Sequence, residues 1–197
     1  MSGAWYARMP RALLAVGLLA VTSSVAAAGP YVSLGLGNTG VDDSTMNNPF
    51  DENGRSLRLA GGYKVHPMFS VEGGLMGYNA IHGREPYDGR ELFAAGKFTY
   101  PMGQGFSAFG RLGIQRTSLS DGKGNTNNPS LSGNGWLAGA GFEYNLLAAV
   151  GPASALANAS VWVDYDRNQA SVQVDNNTNT QRDLGVSMWT LGVTMGF

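Results

Sequence analysis

The chain has 197 residues, with 13 Lys and Arg against 14 Asp and Glu, 29 glycines and no cysteine. That balance argues against a nucleic-acid partner, which usually needs a basic face, and the absence of cysteine excludes disulfides and a lipid-modified N-terminal cysteine. Beyond the first residues no apolar run approaches the roughly 20 residues of a membrane-spanning helix, which excludes a helical membrane protein but not a barrel of alternating strands.

Residues 1–28 read as a signal peptide. Arg8 and Arg11 form the positive region, Ala12 to Val21 the apolar stretch, and Ala26-Ala27-Ala28 the small-residue cleavage site. The rest, 29–197, is long enough for one domain. It holds eight segments of alternating pattern, in order PYVSLGLG (30–37), SLRLAGGYKV (56–65), FSVEGGLMGY (69–78), ELFAAGKFTY (91–100), FSAFGRLGIQR (106–116), GWLAGAGFEYNL (135–146), LANASVWVDY (156–165) and LGVSMWTLGVTMGF (184–197). Most approach the roughly 9–11 residues a tilted strand uses to cross a bilayer. The connections at His66-Pro67-Met68, 101–105 and 148–152 are short. The others (38–55, 79–90, 117–134 and 166–183) are long and polar. Short turns at one end and long loops at the other are the layout of an outer-membrane barrel, with the long loops outside the cell.

The two faces of each segment differ. One face carries Leu57, Leu59, Tyr63 and Val65, then Leu92, Ala94, Phe98 and Tyr100, then Trp136 to Leu146 at alternate positions, then Ala159, Val161, Val163 and Tyr165. The other carries Arg58, Lys64, Glu72, Lys97, Arg111, Glu143 and Asp164, and only Arg116, at an outer strand end, breaks the segregation. A charge facing mid-membrane lipid costs about 2–4 kcal/mol, so this segregation is what a bilayer demands. A soluble eight-stranded barrel would put its apolar face inward instead. Tyr63, Tyr100 and Tyr144 fall near the short turns, and Trp136, Tyr165 and Trp189 nearer the long loops, as two aromatic girdles. In the last segment Trp189, Leu191, Val193, Met195 and Phe197 share the lipid face, while Gly192, Thr194 and Gly196 face the lumen. This strand must close against the first.

At AGGYKVHP, VEGGLMGY, FAAGKFTYPMGQGFSAFGRLGI, AGAGFEYNL and WTLGVTMGF the chain resembles the membrane domain of the OmpA family and its small stand-alone relatives, over nearly all of 29–197. The resemblance implies an all-β, eight-stranded antiparallel up-and-down transmembrane barrel in the outer membrane of a Gram-negative bacterium. It implies that Glu72, Lys97, Arg111 and Glu143 are lumenal charges that pair and plug the barrel. It also implies that Trp189, Leu191, Val193, Met195 and Phe197 act as a C-terminal signal for the barrel assembly machinery. Two departures stand out: Trp162, followed by Asp164, replaces a lumenal arginine, and Arg58 replaces a small residue. The family's periplasmic peptidoglycan-binding domain is not expected after Phe197, so the resemblance implies nothing about cell-wall tethering.

Signs of chemistry are sparse. His66 reads as a turn residue before Pro67. His82 lies in the second outer loop near Glu85, Asp88 and Glu91, with no His-x-Ser pairing of the lipid A deacylase kind. Asp42-Asp43 and Asp51-Glu52 lack EF-hand-like spacing and read as solvated acidic loop. No catalytic residue, metal or cofactor is expected. An eight-stranded barrel is just wide enough for side chains to fill. The expected role is therefore a monomeric scaffold in outer-membrane lipid that displays loops to an extracellular protein or matrix ligand. An enzyme acting on outer-membrane lipid and a small, low-conductance pore are the alternatives. Within the lumen, a hairpin centred on Gln104 sets Lys97 opposite Arg111. Glu72 is expected to pair with Lys97 and Glu143 with Arg111, Arg58 and Asp164 extending the network and Trp162 filling the space of the absent arginine.

Overall fold

The computed structural model describes residues 29–43, 54–82, 85–121, 131–150, 156, 158–173 and 181–197. Side chains at the outer strand tips (41–43, 79–88, 119–121, 131, 172–173 and 181–184) and at 148 and 150 lie outside that description, as do residues 1–28. Eight strands run in sequence order: β1 (Gly29–Asp43), β2 (Gly54–His66), β3 (Phe69–His82), β4 (Glu85–Gly103), β5 (Phe106–Asp121), β6 (Leu131–Asn145), β7 (Ala159–Gln173) and β8 (Gln181–Gly196). A single helical turn, α1 (Leu147–Val150), follows β6. Every neighbouring pair is antiparallel, and β8 closes on β1 from Tyr31↔Gly196 to Asp43↔Leu184. Closure satisfies every strand's backbone groups without water, which is why strands can cross lipid in this form.

Alternation makes the wall two-sided. Leu36, Leu92, Leu112, Ile114, Trp189 and Leu191 are each more than half exposed on the outer face, while Arg58, Glu72, Asp164 and Trp162 are buried inside. Ala159 departs from its expected lipid-facing role: it is buried where Leu146 N–H and the Leu156 carbonyl bond to its backbone.

The short connections are tight. At Gly103-Gln104-Gly105 all three residues take positive φ (95°, 53° and 85°), a conformation glycine adopts freely and Gln104 adopts at some cost. This turn sets Lys97 directly opposite Arg111. At the β2–β3 turn, Met68 N–H donates to His66 Nδ1 at 3.2 Å.

The strands run further outward than their apolar alternation. β4 begins at Glu85 rather than 91, β5 continues to Asp121, and β7 continues to Gln173 through DRNQASVQ, which composition alone assigns to a loop. Pairing persists in polar sequence because hairpin hydrogen bonds do not require an apolar face.

Register fixes the tilt. A line of paired residues starting at Tyr31 runs through Gly62, Glu72, Ala95, Gly113, Leu137, Asn168 and Val186, and returns to β1 at Val41, ten residues beyond its start. Such a shear over eight strands inclines each strand to the barrel axis. Residues level with one another across the lumen are therefore not those paired along the sheet. They step down by slightly more than one residue per strand.

Candidate functional site

The lumen is filled in three layers. At the periplasmic end lies a cavity of about 210 Å3 lined by Lys64, His66, Ser70, Lys97, Glu143 and Thr194, among others. Lys97 Nζ donates to Glu143 Oε2 at 2.7 Å and lies 4.2 Å from the Phe109 ring centroid. Ser160 Oγ donates to Glu143 Oε1 at 2.6 Å. Lys64 lines the same mouth but is exposed, and makes no ion pair among the described residues.

Above the cavity, two arginines meet three carboxylates. Arg58 Nη1 lies 2.7 Å from Asp166 Oδ2 and 3.2 Å from Asp164 Oδ2, and its Nη2 lies 3.2 Å from Glu72 Oε1. Arg111 Nη1 lies 2.9 Å from Asp164 Oδ2 and 3.0 Å from Asp166 Oδ2. Its Nε approaches Glu72 Oε1 to 2.8 Å as an ion pair, without the alignment of a directed hydrogen bond. All five side chains are at most 3% exposed. Tyr31 donates its hydroxyl to Glu72 Oε2 at 3.0 Å.

Aromatic rings frame the cluster. Arg58 Cζ sits 4.9 Å from the Phe93 centroid and 5.8 Å from that of Trp162. Trp162 lies on the register line of Arg58, across Gly192 and Gly35. A β-carbon at either glycine would collide with the indole, so the two bare positions are what let the ring lie flat along the inner wall. Trp162 Nε1 donates to Ser33 Oγ at 3.1 Å.

The third layer, toward the loops, mixes apolar side chains with buried polar ones such as Gln115, Thr117 and Asn168. Met76, Tyr78, Phe93, Leu137, Val186 and Met188 form one buried cluster inside the barrel. Glu91 stands among them, 1% exposed and opposite Met76 on β3. Thr117 Oγ1 donates to its Oε1 at 3.3 Å and Asn168 Nδ2 to its Oε2 at 2.7 Å. No cation pairs with it among the described residues.

This arrangement corrects the expected partners. Glu72 pairs with Arg58 and Arg111 rather than with Lys97, and Glu143 pairs with Lys97 rather than with Arg111. The cause is Asp166, assigned from composition to the fourth loop. It lies on the register line of Arg111, through Gly139, and with Asp164 it draws the guanidinium away from Glu143. Glu143 lies four residues nearer the periplasm than Gly139, within reach of Lys97. Lys64 stays outside the ion pairs. Glu91, at the start of the fourth segment and expected near His82, is buried on the lumenal face. The backbone of His82 ends β3 opposite Glu85, but its side chain lies outside the description, as do the side chains of Asp42 and Asp43 and all of Asp51 and Glu52. Strict alternation past Asp164 was the signal that could have placed Asp166, since two residues further along a strand return to the same face.

A family model described as outer membrane protein beta-barrel domain matches residues 12–197. Among solved structures, the chain is similar to Neisserial surface protein A, with 18% identity over 88% of this chain and 100% of that one and a TM-score of 0.64. It is also similar to Ail, the attachment invasion locus protein of Yersinia pestis, with 19% identity over 86% of this chain and 99% of that one and a TM-score of 0.53. Ail has also been solved in complex with the heparin analogue sucrose octasulfate. At such identities the likeness speaks for the fold. No curated protein matches the sequence.

Proposed function

The chain belongs to the outer membrane protein β-barrel domain family and resides in the Gram-negative outer membrane; from that premise we propose that it is a non-enzymatic, monomeric scaffold, exported by signal peptide 1–28, that displays four loops above a closed lumen. The observation that carries this reading is the cluster of Arg58 and Arg111 with Glu72, Asp164 and Asp166, roofed by the Met76–Leu137–Met188 layer. An ion crossing the lumen would have to part several buried ion pairs and then pass a close-packed layer around Met76, Leu137 and Met188. The central carboxylates are engaged by arginines as ion-pair partners rather than standing as free proton acceptors.

The loops then carry the recognition. The complex of Ail with a sulfated heparin analogue makes an anionic matrix glycan a reasonable first ligand to try. The outward row Trp189, Leu191, Val193, Met195 and Phe197, with Phe197 N–H bonded to the Pro30 carbonyl at 3.0 Å, serves as the signal for the assembly machinery and as an anchor in lipid. Deleting Phe197 should lower the yield of heat-modifiable barrel in the outer membrane.

Planar-bilayer recording tests the closed lumen. The purified barrel should show only rare, small events, and a steady, large ionic current would refute the reading. A change in lipid A acylation on deleting the gene would favour a lipid-modifying enzyme instead.

A further inference from the structure

Among the described residues, the outward faces of the strands carry four charged side chains, and all four are arginines: Arg55, Arg90, Arg116 and Arg167, each exposed. Three of them stand level on neighbouring strands. Arg55 on β2 pairs with Asn79 on β3, which pairs with Asp88 on β4, and Arg90 lies two residues below Asp88 toward the periplasm. Arg90 in turn pairs with Ser118 on β5, and Arg116 lies two residues below Ser118. With a register that climbs ten residues around eight strands, staying level from β2 to β5 requires a descent of about four residues, which these two steps supply. The arc spans roughly 15 Å at a strand spacing of about 5 Å. Arg90 and Arg116 are diagonal neighbours, roughly 7–8 Å apart.

Each arginine stands directly above a lipid-facing aliphatic side chain. Leu57, Leu92 and Ile114 lie two residues nearer the periplasm and are 40%, 58% and 71% exposed. The arc therefore sits where the hydrocarbon belt ends and lipid headgroups begin, on the side of the long loops. The periplasmic end of the same outer face carries Tyr63, Phe69, Phe98, Tyr100 and Phe106, with no charge among the described residues. The two ends thus suit different leaflets. A planar guanidinium fork holds a phosphate through two parallel hydrogen bonds, which a lysine cannot do.

We propose that Arg55, Arg90 and Arg116 form a docking arc for the phosphate groups of phosphorylated glycolipid in the outer leaflet. The arc fixes the barrel's depth and couples it to lipid immediately beneath the loops. It does not depend on whether the lumen conducts.

The detergent-solubilised, folded barrel is titrated with bisphosphorylated lipid A and with the same glycolipid after removal of its phosphates, and bound lipid is counted by native mass spectrometry. Wild type should prefer the phosphorylated form by about tenfold, the scale of several exposed charge-assisted contacts. The variant R55Q/R90Q/R116Q should lose that preference while keeping heat-modifiable migration, and Arg167→Gln, on β7 away from the arc, should retain it. Equal binding of the two glycolipids by wild type, or an undiminished preference in the triple variant, would overturn the proposal. So would displacement of the glycolipid by millimolar inorganic phosphate, which would make free phosphate the ligand. If the triple variant does not fold, Arg90→Gln and Arg116→Gln singly should each reduce the preference by about threefold, and two unchanged singles would count against the arc.

Discussion

In the middle of the lumen Glu72, Asp164 and Asp166 each touch an arginine, whereas in the layer nearer the loops Glu91 touches none among the described residues. The middle layer stands on full charges: two guanidiniums are shared among three carboxylates, with aromatic rings around them. The upper layer stands on dipoles and apolar contact, with Thr117 and Asn168 donating to Glu91 amid Met76, Leu137 and Met188. Two solutions to burying an acid thus lie one above the other. They should respond to very different degrees to the loss of a charge.

The largest effect is expected at Arg111. Arg111→Met would leave Glu72, Asp164 and Asp166 with Arg58 alone, and breaking a buried network from one side costs about 3–5 kcal/mol. Urea unfolding in lipid vesicles, followed by tryptophan fluorescence, measures this. A variant as stable as wild type would show that the middle layer does not depend on its charges.

A smaller loss is expected for Glu143→Ala, about 1–3 kcal/mol, because the stranded Lys97 borders the periplasmic cavity and water can reach it. A double-mutant cycle sharpens the pairing: coupling between Lys97 and Glu143 should exceed coupling between Lys97 and Glu72. The reverse order would restore the partners inferred from sequence.

The smallest effect is expected for Glu91→Gln. The amide can still bond to Thr117, and the Asn168 side-chain amide, whose Oδ1 has no partner, can rotate to accept from it. Stability should stay within about 1 kcal/mol of wild type. A loss approaching that of Arg111→Met would erase the distinction between the two layers.

Much of the wall was legible because its signals are local. Period-two alternation separates Leu57 and Leu59 from Arg58, and a turn centred on Gln104 places Lys97 opposite Arg111 whatever the rest of the chain does. The outer strand ends were not legible. Glu85 to Arg90 and Asp166 to Gln173 lack a continuous apolar face, so hydropathy gives little sign that hydrogen-bonded pairing continues through them. Asp166 was misplaced for that reason, and the partners of Arg111 with it.

Sequence by itself determined that eight strands with one greasy face would close into a barrel in lipid, because side-chain direction alternates residue by residue and the lipid face tolerates no mid-membrane charge. Only the tertiary structure decided which acid meets which base. The shear tilts every strand, so that Arg58 on β2, Arg111 on β5 and Asp164 and Asp166 on β7 converge across the lumen although they are far apart along the sheet. The same convergence brings Met76, Leu137 and Met188, each on a different strand, into one apolar cluster that no single segment announces.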